Sequence, residues 1–424
     1  MTPTVRLSPH LRRWRNLATA TIAVGGLVAL AGCSAPAAAG SQEATGFKDW
    51  DSVVSASDGQ TVNLWMYGGD EQANAYVDDI LTPAAADEGV TLTRIPIVDT
   101  KDALNRVLTE LQAGRTTDGS VDLVWVNGDN FRTGSEAGAW QCDWTQELPN
   151  MANVSATDPL LNSDFGTPVN GCEAPWSKAQ FSIAYNSDVV TDPPSSVAGI
   201  LEWAQAHPGR FTYPAPPDFT GSAFVRQVLY SASGGYQNVP AAYSTEAFDK
   251  VSPDLYESLQ AVAPYLWREG DTYPADSTQL DQLYADGQVD MTMTYGPASL
   301  TKLVADGTYP SGTRVLPLPD GTLGNASFLA VPVNAAHAAG AMVVANLSLS
   351  VDQQVAKADP AGWGQFTVLD NASLTPAEQQ EFADLPQSDV VPTFEVLSRN
   401  ANPELSAEWV PALNEGWRTQ VATQ

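Results

Sequence analysis

VDLVWVNGDN, Val121 to Asn130, reads as a strand that runs directly into a turn. Val121 to Val126 is apolar on both sides of the pleat, the pattern of a strand buried in a parallel sheet. Asn127-Gly128-Asp129-Asn130 breaks it. Two similar units lie upstream. Thr61 to Tyr67 alternates as a strand and stops at Gly68-Gly69-Asp70, and a helical stripe of Ala75, Val77, Ile80 and Leu81 follows. Val90 to Ile97 is a second strand. Thr100 is placed to cap a helix carrying Ala103, Leu104, Val107, Leu108 and Leu111, which ends at Gly114. A short helix is expected over Thr133 to Ala139. The order β-α-β-α-β predicts a doubly wound α/β domain.

Ligands of such sheets collect beyond the carboxyl ends of the strands. Tyr67, Gly68, Gly69 and Asp70 lie at one such end, and Asn127, Asp129 and Asn130 at another. Glycines there allow close backbone approach, amides and carboxylates offer hydrogen bonds, and Tyr67 can stack. Downstream the pattern changes. Phe181 to Asn186 is a short strand, and several helices then precede another strand at Val289 to Thr294 and an apolar strand from Ala326 to Val331. This predicts residues 59–185 as the first part of one lobe, 186–325 as an inserted second lobe, and 326–424 as completion of the first with C-terminal helices. Phe181–Tyr185 and Ser327–Val331 would be the two crossing strands, and a cleft that closes on a ligand would lie between the lobes.

The second lobe holds RFTYPAPPDFTGSAF, Arg210 to Phe224. A β-type run enters a turn stiffened by three prolines, and a helix follows. Thr220 or Ser222 is the expected N-cap, with Gly221 between them. An uncovered helix start here would bind an anion. Tyr213, Asp218, Thr220, Gly221 and Ser222 are therefore candidate ligand contacts, joined by Trp176 and by Tyr295 at the end of a strand.

The N-terminus carries Arg6, Arg12, Arg13 and Arg15, then an apolar run from Leu17 to Leu30 and Leu30-Ala31-Gly32-Cys33. These are the marks of an export signal. The small residues before Cys33 resemble a bacterial lipobox, which makes residues 1–33 a lipoprotein signal peptide with Cys33 as the lipidated residue. Residues 34–58 read as a flexible tether. The expected location is the cell membrane, lipid-anchored on its extracytoplasmic face. Removing the four arginines of residues 1–33 leaves 16 basic against 49 acidic residues, a net charge of −33. Such a surface repels nucleic acid. With Cys33 lipidated, Cys142 and Cys172 remain as the disulfide pair in an oxidising compartment.

The chain resembles the substrate-binding lipoproteins of ABC importers, family 1, with the type II periplasmic-binding-protein fold, and within them the YnjB-like group. The resemblance rests on Met66-Tyr67-Gly68-Gly69, Val98-Asp99-Thr100, Gly119 to Phe131, Tyr213 to Phe224 and Met293-Thr294-Tyr295-Gly296-Pro297-Ala298. It spans about Thr61 to Trp417. It implies two lobes closing on a small-molecule solute, a membrane permease with its ATPase as partners, a monomer, and no cofactor, metal or catalytic residue. It leaves the solute open among thiamine, polyamines, iron and sulfate. The residues disfavour iron, because no tyrosine pair or histidine cluster is present. An organic cation, thiamine-like or a polyamine, would suit the aromatics with Asp70, Asp129 and Asp218. An oxyanion would suit the helix start with Arg132 or Arg226. The competing class is a secreted glycoside hydrolase using two carboxylates. Against it, no G-x-S-x-G, H-E-x-x-H or P-loop motif is found, and His207 and His337 are the only histidines outside the signal.

Overall fold

The computed structural model describes residues 46–398 and 400–422. The signal segment, Cys33 and the first part of the tether lie outside the described residues. The tether expected over 34–58 gives way to folded structure before its end. Trp50–Ser57 is a helix closed by a capping box in which the Asp49 carboxylate accepts from the Ser52 amide at 2.9 Å. Its Val53 is fully buried, and the helix packs on Ala338–Ser348. Local capping and an apolar face therefore order a segment whose composition alone reads as linker.

The strands are β1 Thr61–Tyr67, β2 Thr91–Ile97, β3 Leu123–Val126, the paired two-residue strands β4 Ser163–Asp164 and β5 Thr167–Pro168, β6 Glu173–Gln180, β7 Ser182–Asn186, β8 Met291–Thr294, β9 Thr313–Val315 and β10 Gly324–Ala330. The first sheet has the order β2-β1-β3-β10-β6. Its first three strands are parallel, whereas β10 runs antiparallel to both β3 and β6. Helices cover both faces, giving one core around Trp144, Trp176 and Trp363 and another around Leu104, Val107, Phe131 and Trp140. The second sheet, β8-β7-β9, is smaller, and β7 is antiparallel to both neighbours. It shares a core with Phe211, Tyr213, Phe224 and Leu255. Arg210 to Tyr213 is extended but forms no regular strand.

The chain passes between sheets at a single residue, Phe181, which is fully buried. The strand expected to end the first lobe at 185 thus belongs, from Ser182, to the second sheet. The return lies between β9 and β10, so the crossing precedes the expected Ser327–Val331. Phe181 N–H donates to Leu323 O at 2.8 Å and ties the two crossings together. A third crossing was not expected. From Val390 onward the C-terminal part joins the second core through Leu405, Trp409, Leu413 and Trp417. The physical reason is the Trp409–Gln420 helix, whose Trp417 Nε1 donates to the Tyr213 hydroxyl at 3.0 Å while the Tyr256 hydroxyl donates to Leu413 O at 3.0 Å. Residues 326–424 are therefore divided between the two halves.

This C-terminal segment is pinned by Arg226 Nε, 2.9 Å from Glu404 Oε2, with both side chains at most 4% exposed. Glu404 Oε1 also accepts from the Tyr295 hydroxyl at 3.0 Å and from Asn325 Nδ2 at 3.3 Å.

Two stability predictions follow from these contacts. Cys142 and Cys172 form a disulfide across 30 positions, and replacing both by alanine lowers the unfolding free energy by about 3–4 kcal/mol. An unchanged midpoint in urea unfolding would contradict it. Glu404→Gln leaves the Arg226 charge buried without its partner and costs about 3–5 kcal/mol. Arg226→Met combined with Glu404→Leu recovers most of that loss in the same assay. A double variant as unstable as the single one would show that packing, not the stranded charge, sets the cost.

Candidate functional site

β1 and β3 deliver two turns to the same edge of the first sheet. Gly68 N–H donates to Ile97 O at 2.9 Å, and a Cβ on Gly68 would come within 2.7 Å of the Pro96 side chain. At Gly69 a Cβ would strike the folded-back ring of Tyr67. These glycines make room for close packing within the turn. Asp70 caps the helix that follows. Its Oδ1 accepts from Ala73 N–H at 2.9 Å and its Oδ2 from Trp363 Nε1 at 3.0 Å. Burial still holds its carboxyl above the ordinary range.

The turn after β3 is tighter than its sequence suggests. Gly128 takes φ +63°, and the helix starts at once as Asp129–Glu136, four residues before the expected Thr133. Gly128 N–H donates to Asp164 Oδ2 at 2.7 Å. Asn127 and Asn130 are half-buried beside it. Asp129 is engaged by Arg132 at 2.6 Å, and Arg132 also reaches Glu136 at 2.5 Å. Trp176 lies apart from both turns as a fully buried ring, edge-on to Trp125 at 5.0 Å and Trp363 at 5.2 Å.

On the second half, the helix of the proline turn runs Phe219–Ala232 and its cap is Asp218, in place of the expected Thr220 or Ser222. Asp218 Oδ1 accepts from Gly221 N–H at 2.8 Å, and Oδ2 accepts from Ser277 N–H at 3.3 Å. A carboxylate of the chain itself therefore occupies the helix start that was expected to receive an anion. Burial raises this carboxyl too. Gly221 is required because a Cβ would meet Pro214 O. Thr220 is buried, and the Ser222 hydroxyl donates to Asn414 Oδ1 at 2.8 Å. Tyr213 is a core residue, fully buried with ring centroids 4.8 Å from Phe224 and 5.2 Å from Tyr273. Tyr295 stands 4.9 Å from Phe219, which is 41% exposed and so able to meet a ligand.

Besides the crossings, two side-chain contacts join the halves near these turns. Tyr67 Oη lies 3.5 Å from Thr278 Oγ1, at the start of the Ser277–Ala285 helix. One turn further, Asp281 accepts from the Thr292 hydroxyl at 2.6 Å. Burial pushes Asp281 up to about 6, and the charges of Asp70 and Asp218 add to the shift. Asp70 from one half and Asp218 and Asp281 from the other thus act on one region. The second meeting place is Phe165, whose ring is 6.2 Å from Phe219 and lies under the Arg226 guanidinium at 5.5 Å. Of the expected site residues, Tyr67, Asp70, Asp218 and Tyr295 are drawn towards these contacts, whereas Trp176, Tyr213 and Ser222 serve the cores and helix packing. Thr278, Asp281, Asp164, Phe165, Trp363 and Glu404 were not anticipated. Only Asp276-Ser277-Thr278 carries a local signal, a helix N-cap.

Among the described residues, no group of three or more His, Cys, Asp and Glu side chains is placed to hold a metal ion, and no helix is long and apolar enough to cross a membrane.

Comparison with known proteins agrees with this architecture. The family model of bacterial extracellular solute-binding proteins matches residues 79–387. Protein YnjB of Escherichia coli is 37% identical over 380 residues, 90% of this chain and 96% of YnjB. A spermidine/putrescine ABC transporter substrate-binding protein from Streptococcus pneumoniae superposes with a TM-score of 0.59 at 12% identity, covering 85% of this chain and 98% of its own. A periplasmic thiamin binding protein gives 0.58 at 15% identity, covering 86% of this chain. The ferric ion-binding protein A of Pasteurella haemolytica gives 0.57 at 12% identity, covering 86% and 99%. The overall fold is thus shared with periplasmic binding proteins, and the chain belongs to the bacterial extracellular solute-binding proteins.

Proposed function

We propose that the solute is a small organic cation, held between the two halves and passed to a membrane permease driven by its ATPase. The observation that carries this reading is the convergence of Asp70, Asp218 and Asp281 from both sides of the Tyr67–Thr278 contact. A cation placed among them relieves their mutual repulsion and gains from aromatic neighbours. An oxyanion finds no such reception. Asp218 covers the helix start, Arg132 is paired with Asp129 and Glu136, and Arg226 with Glu404.

The lobes that act in this cycle are residues 59–180 with the strand and helices after 324, and residues 182–315 with the C-terminal helix. Binding stabilises the closed arrangement by the difference in affinity between the two states. The protein works as a monomer, tethered by a lipid on Cys33 to the extracytoplasmic face of the membrane after removal of the signal peptide. It turns over no substrate. His207 is stacked on Trp203 at 4.3 Å and bonded to Trp203 O, and His337 is paired with Asp122. Among the described residues neither imidazole is hydrogen-bonded to a serine, threonine or cysteine side chain that could serve as a nucleophile.

Titration calorimetry of the chain from residue 34 with spermidine, putrescine and thiamin tests the reading. Asp70→Asn together with Asp218→Asn weakens binding by about tenfold or more. Asparagine keeps each cap bond but sets an NH2 against the second donor, Trp363 Nε1 or Ser277 N–H, so thermal denaturation first checks that the variant is folded. Wild-type affinity in that variant, or binding of sulfate or phosphate in place of the cations, would overturn it. The pH dependence has a defined sign. Asp281 must be ionised to contribute, and it titrates at about 6. Cation affinity therefore falls as pH drops from 7 to 5, and Asp281→Asn makes that fall shallower.

A further inference from the structure

Asp164 and Glu173 stand one residue from the Phe165 contact and one from the Cys142–Cys172 disulfide respectively. Both are at most 2% exposed. Asp164 Oδ2 takes the Gly128 amide at 2.7 Å, but its Oδ1 and both oxygens of Glu173 have no hydrogen-bond partner. Three unpartnered carboxyl oxygens at such burial are costly to leave unmet. The neighbouring cations do not answer them. Arg226 is bound to Glu404, Arg132 to Asp129, and Lys178 ion-pairs with Asp158. Glu404 adds its own negative charge towards Asp164. Asp164 also lies beside the turn at the carboxyl end of β3, where a solute in this kind of sheet collects, its charge acts on Glu173 at the start of β6, and Phe219 with its exposed ring borders Asp164 through Phe165.

We infer that Asp164 and Glu173 form a second acceptor subsite of the cleft, which takes an N–H donor group of the solute, an ammonium or amidinium, and releases a proton when it does so. This rests on the cationic reading above and narrows it. The solute carries two nitrogen-borne donor groups, one for Asp70, Asp218 and Asp281 and one for Asp164 and Glu173, with an apolar stretch against Phe219 and Tyr295. Burial pushes Asp164 up to about 8 and Glu173 well above its ordinary range, with Asp164 adding to the latter shift. At neutral pH Asp164 therefore holds its proton in the empty protein. The incoming group keeps its own proton, and the carboxyl proton passes to the buffer, because the opposite charge favours the ionised form.

Calorimetric titration of spermidine and thiamin into the chain from residue 34, in buffers of low and high ionisation enthalpy at pH 7, reads this release directly. The expected result is close to one proton released per cation bound. Affinity rises between pH 7 and 8, towards tenfold per pH unit where Asp164 is mostly protonated. The same slope continues below pH 7 and adds to the one from Asp281, so Asp164→Asn and Asp281→Asn are compared to separate the two. Asp164→Asn keeps the bond to Gly128 N–H, abolishes the proton release and weakens binding by about tenfold, and Glu173→Gln reduces both. Circular dichroism checks that the variants are folded. A cation that binds with the same heat in both buffers, and equally well to Asp164→Asn, overturns the subsite and leaves the cationic reading standing. No binding by any cation of the panel overturns both.

Discussion

The structure depends on an ion pair that water never reaches. Placing Arg226 and Glu404 in the interior removes two charges from solvent, at a cost of several kcal/mol per ion that attraction alone need not offset. Here the offset is shared. Tyr295 and Asn325 both donate to Glu404 Oε1, and a second guanidinium nitrogen reaches Glu404 at 3.3 Å. Desolvation works to lower the Arg226 pKa, and the Glu404 charge and hydrogen bond, with Tyr295 and Tyr230, together outweigh it. The three donors belong to different segments, the helix after the proline turn, the end of β8 and strand β10, and Glu404 itself belongs to the C-terminal crossing. One carboxylate thus determines where four segments meet at the junction of the two sheets.

The same economy governs the rim. Asp70 and Asp218 are both helix caps, so each negative charge is held in place by backbone N–H groups and a favourable dipole. Fixing them therefore requires no lysine or arginine, and the negative field they produce remains available to a solute. A surface carboxylate of this very acidic chain has no such standing, because water and salt screen it. The proposed preference for a cation over an oxyanion rests on Arg132 and Arg226 being held by carboxylates of the chain itself. Net charge contributes little to it.

The sequence displayed the first sheet because its information is local. Period-two runs, helical stripes and glycine breaks follow one another between Thr61 and Asn130, and each is readable over a dozen residues. The same reading found the helix start near Asp218 but assigned the wrong cap, since Asp, Thr and Ser are all competent and three of them lie within five positions. The run Arg210 to Tyr213 does not say which of its faces is buried, so the burial of Tyr213 in the core is not legible from it. Glu404 and Asp281 were invisible for another reason. Their partners lie far along the chain, with Glu404 178 positions from Arg226, and no periodicity encodes that distance. The spacing of Trp409, Leu413 and Trp417 marks an amphipathic helix, but it leaves open which half of the molecule receives it.

The contacts between the halves differ sharply in strength, and that difference determines how the cleft can open. At Phe181 and Leu323 the crossings are joined by a backbone hydrogen bond at 2.8 Å within a buried setting. At the rim, Tyr67 and Thr278 face each other at 3.5 Å, the outer limit of a hydrogen bond between hydroxyls. Breaking the rim contact costs little, since water replaces it, whereas disrupting the crossings would strand buried donors and acceptors. The low-energy motion is therefore separation at the rim with the crossings intact. On the reading proposed above, a cation bound between Asp70 on one side and Asp218 and Asp281 on the other would supply the attraction that the bare rim lacks, and closure would report occupancy.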